Sequence, residues 1–129
     1  MSRYLLDTTV LIDAMRGRLA AERLRALRDT SEPPYICAIN IEEVFRGVRP
    51  KEADRAKSLL DGCRVAPLGR REGETAGGWR RRYRARGTTL SQADCLIAAA
   101  AHSVGAILAT GNPKDFPMPE LIVEHWPVG

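Results

Sequence analysis

The chain contains few cysteines, and those present do not form a recognisable pattern. Cys37, Cys63 and Cys95 are widely spaced along the 129 residues and include no CxxC pair. An odd number of scattered cysteines argues against a disulfide framework and against a structural zinc site. We therefore expect three reduced cysteines that serve as small apolar packing residues.

The chain also lacks long apolar runs. No stretch approaches the roughly 18 consecutive apolar residues that a membrane span requires. The N-terminal sequence MSRYLLD is too short, and becomes acidic too soon, for a secretory signal peptide. We expect a cytoplasmic protein with no membrane partner.

The residues that are present indicate one α/β domain over residues 1–129, with 44% hydrophobic and 28% charged residues. Short apolar runs alternate with amphipathic segments, which predicts a parallel sheet covered by helices on both faces. The predicted strands are 3–7, 35–39, 64–68, 106–110 and 121–126. The predicted helices are 9–16, 19–30, 40–48, 51–62 and 90–104, with 71–87 helical in part because Gly77 and Gly78 weaken its middle.

Four acidic residues occupy related places in this pattern. Asp7 stands at the carboxyl end of the first strand, and Asp115 follows the strand 106–110. Glu43 lies four residues past the second strand, in the first turn of a helix, and Asp94 lies in the first turn of the helix 90–104. Sites in open parallel sheets form beyond the carboxyl ends of the strands, so we expect the four acids to converge there.

Each acid also has a purely local explanation. Asn40 to Glu43 and Ser91 to Asp94 both fit a capping box at a helix N-terminus. Asp7 fits an N-cap, and Asp115 fits a turn residue. These explanations remain open for any acid taken alone.

A divalent cation explains the four acids together. A carboxylate at the end of an apolar strand is costly to desolvate, and several carboxylates in one place repel one another. Hard oxygen ligands favour Mg²⁺, with Mn²⁺ as an alternative, over zinc. Thr8 and Thr110 would orient the acids or bound waters, although both also fit ordinary cap or strand-end hydroxyls.

Such a site suits hydrolysis of a phosphodiester, because a bound cation activates water and neutralises charge on the phosphate. Other phosphate chemistries fit less well. The chain has no P-loop, and Thr9 stands where an aspartyl-phosphate phosphatase would carry a second aspartate. A metal-free ribonuclease would use paired histidines, whereas His102 and His125 fit structural or surface positions.

A basic stretch, WRRRYRARG at 79–87, is the best candidate for substrate contact. So many like charges favour a polyanion such as nucleic acid. Trp79 and Tyr83 share a helix face, where they would either stack on unpaired RNA bases or pack inward. The predicted RNA-binding residues are Arg80, Arg81, Arg82, Arg84 and Arg86.

Three stretches together resemble the PIN-domain family, and most closely its VapC-type toxin ribonucleases. They are LLDTTVLIDAMRG, CAINIEEVFRGV and SQADCLIAAAAHSVGAILATGNPKDF, in family order. The resemblance implies a three-layer α/β/α fold around a short parallel sheet. It also implies an acidic site that binds Mg²⁺ or Mn²⁺. Glu42 is an alternative to Glu43 in this site, and Asn112 stands beside the acids as an uncharged residue. The implied acids are Asp7, Glu43, Asp94 and Asp115.

The resemblance further implies a Mg²⁺-dependent endoribonuclease toxin that cleaves structured RNA such as tRNA. It implies a VapB-type antitoxin as partner, and a homodimer. Two alternatives remain: a non-catalytic PIN-like module that binds RNA or protein, and a PIN nuclease of RNA processing that has no antitoxin.

Overall fold

The sheet of the protein is parallel throughout, as its alternating sequence pattern predicted. The structure is a computed structural model that describes residues 2–30 and 32–129, so the expected domain 1–129 includes Met1 and Ser31, which lie outside the described residues. The described residues contain five strands: β1 (Tyr4–Leu6), β2 (Tyr35–Ile36), β3 (Arg64–Val65), β4 (Ile107–Thr110) and β5 (Val123–His125). Their order in the sheet is β3-β2-β1-β4-β5. The α/β prediction is confirmed.

Helices connect the strands and cover the sheet. Over the same described residues they are α1 (Thr8–Met15), α2 (Leu19–Thr30), α3 (Ala38–Gly47), α4 (Ala53–Asp61), α5 (Arg70–Arg84) and α6 (Gln92–Ser103). Two short 3-10 turns, Pro50–Glu52 and Pro113–Asp115, precede α4 and follow β4. No helix within the described ranges has both the length and the apolar character that a membrane span needs.

Neighbouring residues of β1 and of β4 point to opposite faces of the sheet and contribute to two separate cores. Leu5 and Leu108 pack with α5 and α6 on one face. Leu6 and Ala109 pack with α1, α2 and α4 on the other. Helices therefore cover both faces of the sheet, which is the three-layer arrangement that the family resemblance implied.

The predictions around the start of α3 are wrong. The predicted strand 35–39 ends at Ile36, because α3 begins at Ala38. Asn40 is therefore not the N-cap of this helix but its third residue, and its side-chain Oδ1 accepts a 2.8 Å hydrogen bond from the backbone N–H of the N-cap residue Cys37.

Helix α5 runs without interruption through Gly77 and Gly78, although two adjacent glycines disfavour a helix. Ala76, Trp79 and Tyr83 are buried on one face of α5, which packs against α6. Tertiary packing of this apolar face compensates for the low helix propensity of the glycines. The cysteines are free, as predicted, with Cys37 and Cys95 buried.

Candidate active site

The acidic residues lie at the point where the strand order of the sheet reverses. The chain passes from β1 to β2 and β3 on one side, and then returns to β4 on the other side of β1. A cleft of about 350 Å³ opens beyond the carboxyl ends of β1 and β4, where ligand sites of open α/β sheets usually lie. The residues that line this cleft are Asp7, Thr8, Thr9, Ile12, Glu43, Arg46, Gly47, Asp94, Asn112 and Asp115. The four acids predicted from the sequence thus share one cavity.

Asp7 is the most constrained of these acids. It is only 6% exposed and is the N-cap of α1, with Oδ1 accepting a 2.9 Å hydrogen bond from the Thr8 backbone N–H. Its Oδ2 accepts hydrogen bonds from the hydroxyls of Thr110, at 2.7 Å, and Thr9, at 3.1 Å. Burial raises the pKa of Asp7, these hydrogen bonds lower it, and the charge of Glu43 raises it further. The capping explanation is therefore correct for Asp7, but it does not account for the other acids around it.

Glu43 faces the cleft from the second turn of α3, rather than from its first turn as predicted, because the helix begins at Ala38. The Thr8 hydroxyl donates a 2.6 Å hydrogen bond to Glu43 Oε1. The fully buried Asn40 in turn donates from Nδ2 to Thr8 Oγ1 at 3.1 Å. Glu42 is exposed and forms a 3.4 Å ion pair with Arg46, so the geometry favours Glu43 over Glu42.

Asp94 enters the cleft from the first turn of α6, as predicted. Ser91 is the N-cap, and its Oγ accepts a 3.0 Å hydrogen bond from the Asp94 backbone N–H. Burial raises the pKa of Asp94, and the charges of Asp7, Asp115 and Glu43 add to this rise. Asp115 ends the 3-10 turn after β4 and is exposed. The four acids are thus close enough for their charges to interact.

These carboxylates form an open arrangement rather than a closed cage. Among the described residues, no three acidic, histidine or cysteine side chains converge closely enough to hold a metal ion by themselves. Mg²⁺ usually keeps several of its waters and binds through only one or two carboxylates, so an open acidic cleft suits it better than a closed set of ligands. The oxygen-only donor set and the raised pKa values of Asp7 and Asp94 fit Mg²⁺ or Mn²⁺.

The loop after β4 is held close to the chain's C-terminus. The backbone N–H of Asn112 donates to Thr110 Oγ1 at 3.0 Å, and that of Gly111 donates to Thr9 Oγ1 at 3.2 Å. A Cβ atom at Gly111 would lie 2.9 Å from Cγ2 of Val128. Glycine therefore allows the C-terminal segment to pack against this side of the cleft.

The arginines predicted to bind RNA have different surroundings in the structure. Arg80, Arg81 and Arg84 line a cavity of about 260 Å³ with Gly77, Thr89 and Leu90, which we call the α5 arginine pocket. Arg82 instead forms a bidentate ion pair with Glu120, with N–O distances of 2.8 and 2.9 Å.

The remaining member of the basic stretch and its two aromatics pack on the protein itself. The Arg86 guanidinium lies 5.3 Å from the centroid of the Tyr83 ring. Trp79 and Tyr83 are both buried, and they hydrogen-bond to Glu120 and to the Pro117 carbonyl. Of the two alternatives for these aromatics, inward packing is correct and stacking on RNA is wrong.

Sequence reasoning did not identify Thr9 as a partner of Asp7, and it assigned Asn40 only to helix capping. Both make hydrogen bonds to residues far away in the chain. The Thr9 hydroxyl accepts one from the Gly111 backbone N–H, and the Asn40 side-chain amide donates one to the Thr8 hydroxyl. The signal for Thr9 was its place directly after Asp7 and Thr8. Nothing in the local sequence indicated that Asn40 would reach α1.

Comparison with known proteins gives one family and one group of relatives. The PIN domain family matches residues 4–117. Ribonuclease VapC10 of Mycobacterium tuberculosis is 34% identical over 114 residues, which cover 88% of this chain and 86% of that protein.

Solved structures share the fold over nearly the whole chain. VapBC2 from Rickettsia felis, bound to a DNA fragment from its promoter, superposes with a TM-score of 0.84 at 22% identity and covers 95% of this chain and 98% of that one. A toxin-antitoxin complex from Klebsiella pneumoniae superposes with a TM-score of 0.76 at 27% identity, covering 92% and 95% of the two chains.

Proposed function

Because this chain belongs to the PIN domain family, we propose that it is a Mg²⁺-dependent endoribonuclease, the toxin of a VapBC-type toxin–antitoxin pair. The reaction is hydrolysis of RNA phosphodiester bonds, and the RNA we expect is structured RNA such as tRNA. The observation that carries the proposal is the shared cleft of Asp7, Glu43, Asp94 and Asp115 at the carboxyl ends of β1 and β4. The relative named ribonuclease VapC10, similar over most of both chains, supports it.

Asp7 and Asp94 are the residues we assign to holding Mg²⁺ or Mn²⁺, since both line the cleft and neither is exposed. Burial raises the pKa of both acids, so a bound cation would relieve the cost of keeping them charged. The chemistry that a bound ion supplies is activation of water and neutralisation of charge on the phosphate. Asp7 is fixed in place by three hydrogen bonds, so its position does not depend on the ion. Preorganised ligands of this kind avoid the cost of ordering the site during the reaction.

Glu43 and Asp115 are assigned to the attacking water. The Thr8 hydroxyl orients the Glu43 carboxylate, and Asn40 orients Thr8 from behind. A carboxylate oriented in this way would accept a proton from the water as it attacks the phosphate. The loop after β4 forms one rim of the cleft and carries Asn112 and Asp115, which would hold further waters there.

A VapB-type antitoxin is the partner we propose. The toxin-antitoxin complex from Klebsiella pneumoniae, at 27% identity, supports this assignment because its chain matches nearly all of the present one. A small neighbouring reading frame that encodes a DNA-binding protein, and co-purification of that protein with this chain, would bear out the pair.

A homodimer in the cytoplasm completes the proposal, and light scattering on the purified chain measures the oligomeric state.

A second candidate function is a PIN-like module that binds RNA without cutting it. The observation in its favour is that, within the part of the chain that the structure describes, no three acids converge on one point. Such a module would bind RNA equally well with and without Mg²⁺ and would leave it intact.

The test is an RNA cleavage assay on the purified protein with total RNA, with Mg²⁺, with EDTA, and with EDTA followed by excess Mg²⁺. We expect cleavage in the first and third conditions and none in the second. Asp94→Asn, purified in the same way, controls for contaminating nuclease and should be inactive. Intact RNA in all conditions, with binding retained, would replace the proposal by the binding module.

A further inference from the structure

A second basic cavity lies beside the acidic cleft and takes no part in the function proposed so far. It has a volume of about 320 Å³ and lies between the end of α1 and the start of α4. Five cations and one carboxylate line it, a net formal charge of +4. We call it the α1–α4 basic pocket, and its lining residues are Arg16, Arg18, Arg49, Lys51, Glu52 and Arg55.

Glu52 gives this pocket a fixed geometry. Its side chain is nearly buried, with the residue only 4% exposed. Its carboxylate accepts hydrogen bonds from Arg16 Nε at 3.1 Å and from Arg49 Nη2 at 3.0 Å, and also from the Arg49 backbone N–H at 3.0 Å. A guanidinium has five N–H donors, so both arginines keep donors for a second anion after they bind Glu52. The hydrogen bonds from Arg49 and Arg16 also hold the pKa of Glu52 well below its usual range, which keeps the carboxylate charged.

The other three cations exceed what Glu52 can neutralise. The side chains of Arg18, Lys51 and Arg55 are exposed, and Arg55 donates a long 3.4 Å hydrogen bond to the Met15 carbonyl. Concentrating like charges in one concave place raises the local potential and attracts an anion. A structural role for Glu52 explains Arg16 and Arg49 but does not explain the three additional cations.

The pocket and the acidic cleft are lined by nearby residues of the same two segments of the chain. On α1, Ile12 lines the cleft, and Arg16, the C-cap of this helix, lines the pocket about one helical turn or about 6 Å further along the axis. At the end of α3, Arg46 and Gly47 line the cleft, and Arg49, two residues past the helix, lines the pocket. A chain molecule that leaves the cleft on this side therefore passes over the basic pocket.

The acids of the cleft repel the phosphates that the proposed reaction requires, so affinity for RNA has to come from cations on its flanks. The α5 arginine pocket provides such cations on the side of α6, because Arg80 donates to the Leu90 carbonyl just before the helix that carries Asp94. The α1–α4 basic pocket provides them on the side of α1. Arginines held in a fixed plane suit the bidentate recognition of phosphate oxygens.

We propose that the α1–α4 basic pocket binds the phosphodiester backbone of RNA on the α1 side of the acidic cleft, so that RNA is held on both flanks of the acids. This inference rests on the proposed function, because it assumes that RNA is the ligand of the cleft. It adds a binding site whose residues lie outside the basic stretch 79–87.

The experiment measures binding of fluorescent polyuridine, which presents a phosphate backbone without structure, by anisotropy at several salt concentrations. All proteins carry Asp94→Asn so that the RNA stays intact. The test variant is Arg18→Ala with Lys51→Ala, which leaves Glu52 and its two arginines in place. The matched control is Arg25→Ala with Arg71→Ala, which removes the same charge from exposed positions of α2 and α5 that line neither the pocket nor the cleft.

We expect the test variant to bind roughly 10-fold more weakly at low salt, and its salt slope to fall by about 1.4, or about 0.7 for each lost phosphate contact. The control should keep the parent slope. Equal slopes in test and control would overturn the inference while leaving the proposed ribonuclease intact. If the test variant loses binding to polyglutamate while its binding to polyuridine is unchanged, the inference is overturned and the pocket is assigned to an acidic protein partner. A parent protein that binds no polyuridine, tRNA or total RNA would overturn the inference together with the proposed function.

Discussion

The hydroxyl of Thr110 donates a 2.7 Å hydrogen bond to Oδ2 of Asp7, a residue 103 positions earlier in the chain. Asp7 directly follows β1, and Thr110 is the last residue of β4. These two strands are parallel neighbours at the point where the strand order reverses. This bond fixes the buried acid against the sheet and leaves the surrounding acids to face it across the cleft. The fold therefore orders the site before any ligand arrives.

The relay from Asn40 through Thr8 to Glu43 predicts a loss of activity on changing Thr8. Thr8→Val removes the hydroxyl that donates to Glu43 Oε1 and accepts from Asn40 Nδ2. We expect RNA cleavage to slow about 10-fold, as is typical when a group that orients an active-site ligand is removed. Thr8→Ser retains the hydroxyl and should keep most of the activity. Equal rates in the two variants would show that the relay has no part in the reaction.

Arg81 and Arg82 are adjacent in the sequence but should behave differently. Arg81 lines the α5 arginine pocket, so Arg81→Ala should lower the salt slope of RNA binding by about 0.7. Arg82 is paired with Glu120, and its guanidinium lowers the pKa of that acid to about 2. Arg82→Ala should therefore leave the slope unchanged and slightly lower the free energy of unfolding, because a partly exposed ion pair contributes little to stability. The opposite pattern would contradict the assignment.

The order of the elements and the positions of the acids could be read from the sequence, and the contacts between distant elements could not. Asp7 and Asp94 were found because an acid after an apolar strand, or in the first turn of a helix, has a local signature. Asn40 also has a local signature, but it indicated a cap that the structure assigns to Cys37. Its bond to Thr8 depends on how α3 packs against α1, which no local pattern encodes.

The basic stretch shows the same limit. Its composition indicated a cationic surface, but the sequence did not reveal that Glu120, on a distant segment, engages Arg82 and Trp79. Strand lengths were overestimated for a related reason. Apolar residues such as Ile39 belong to helices that pack on the core, and an apolar run alone does not separate these from strands.

Gly111 is predicted to be sensitive to a small addition. Gly111→Ala places a Cβ atom 2.9 Å from Cγ2 of Val128, and Asp13 holds the adjoining Gly129 backbone N–H at 2.9 Å, which limits how far the terminus moves. We expect a loss of about 1 kcal/mol in unfolding free energy, at the low end for overpacking. Val128→Ala in the same protein should recover most of this loss. If urea denaturation shows that the losses of unfolding free energy in the two single variants simply add in the double variant, the contact with Val128 is not the cause.

Without a divalent ion, the acids of the cleft should destabilise the protein as the pH rises. Burial and neighbouring charges raise the pKa of Asp7 and Asp94 above the ordinary value. Between the ordinary and the raised pKa, the folded protein binds more protons than the unfolded chain, so the free energy of unfolding falls as the pH increases.

Asp94→Asn removes one of the interacting charges and tests this effect. In EDTA near neutral pH, the variant should be about 0.5 kcal/mol more stable than the wild type, the scale of repulsion between partly exposed like charges. The gain should vanish below the ordinary carboxyl pKa. Urea denaturation at several pH values measures both quantities, and a gain that does not depend on pH would mean that charge repulsion is not its source.

The central claim is that the acidic cleft of Asp7, Glu43, Asp94 and Asp115 binds a divalent cation, and calorimetric titration of the metal-free protein with Mn²⁺ tests it most directly. We predict saturable binding by the wild type, weakened at least about 10-fold in Asp94→Asn and little changed in Glu42→Gln, whose carboxylate lies outside the cleft. No binding to the wild type, or equal binding by the wild type and Asp94→Asn, would contradict the claim.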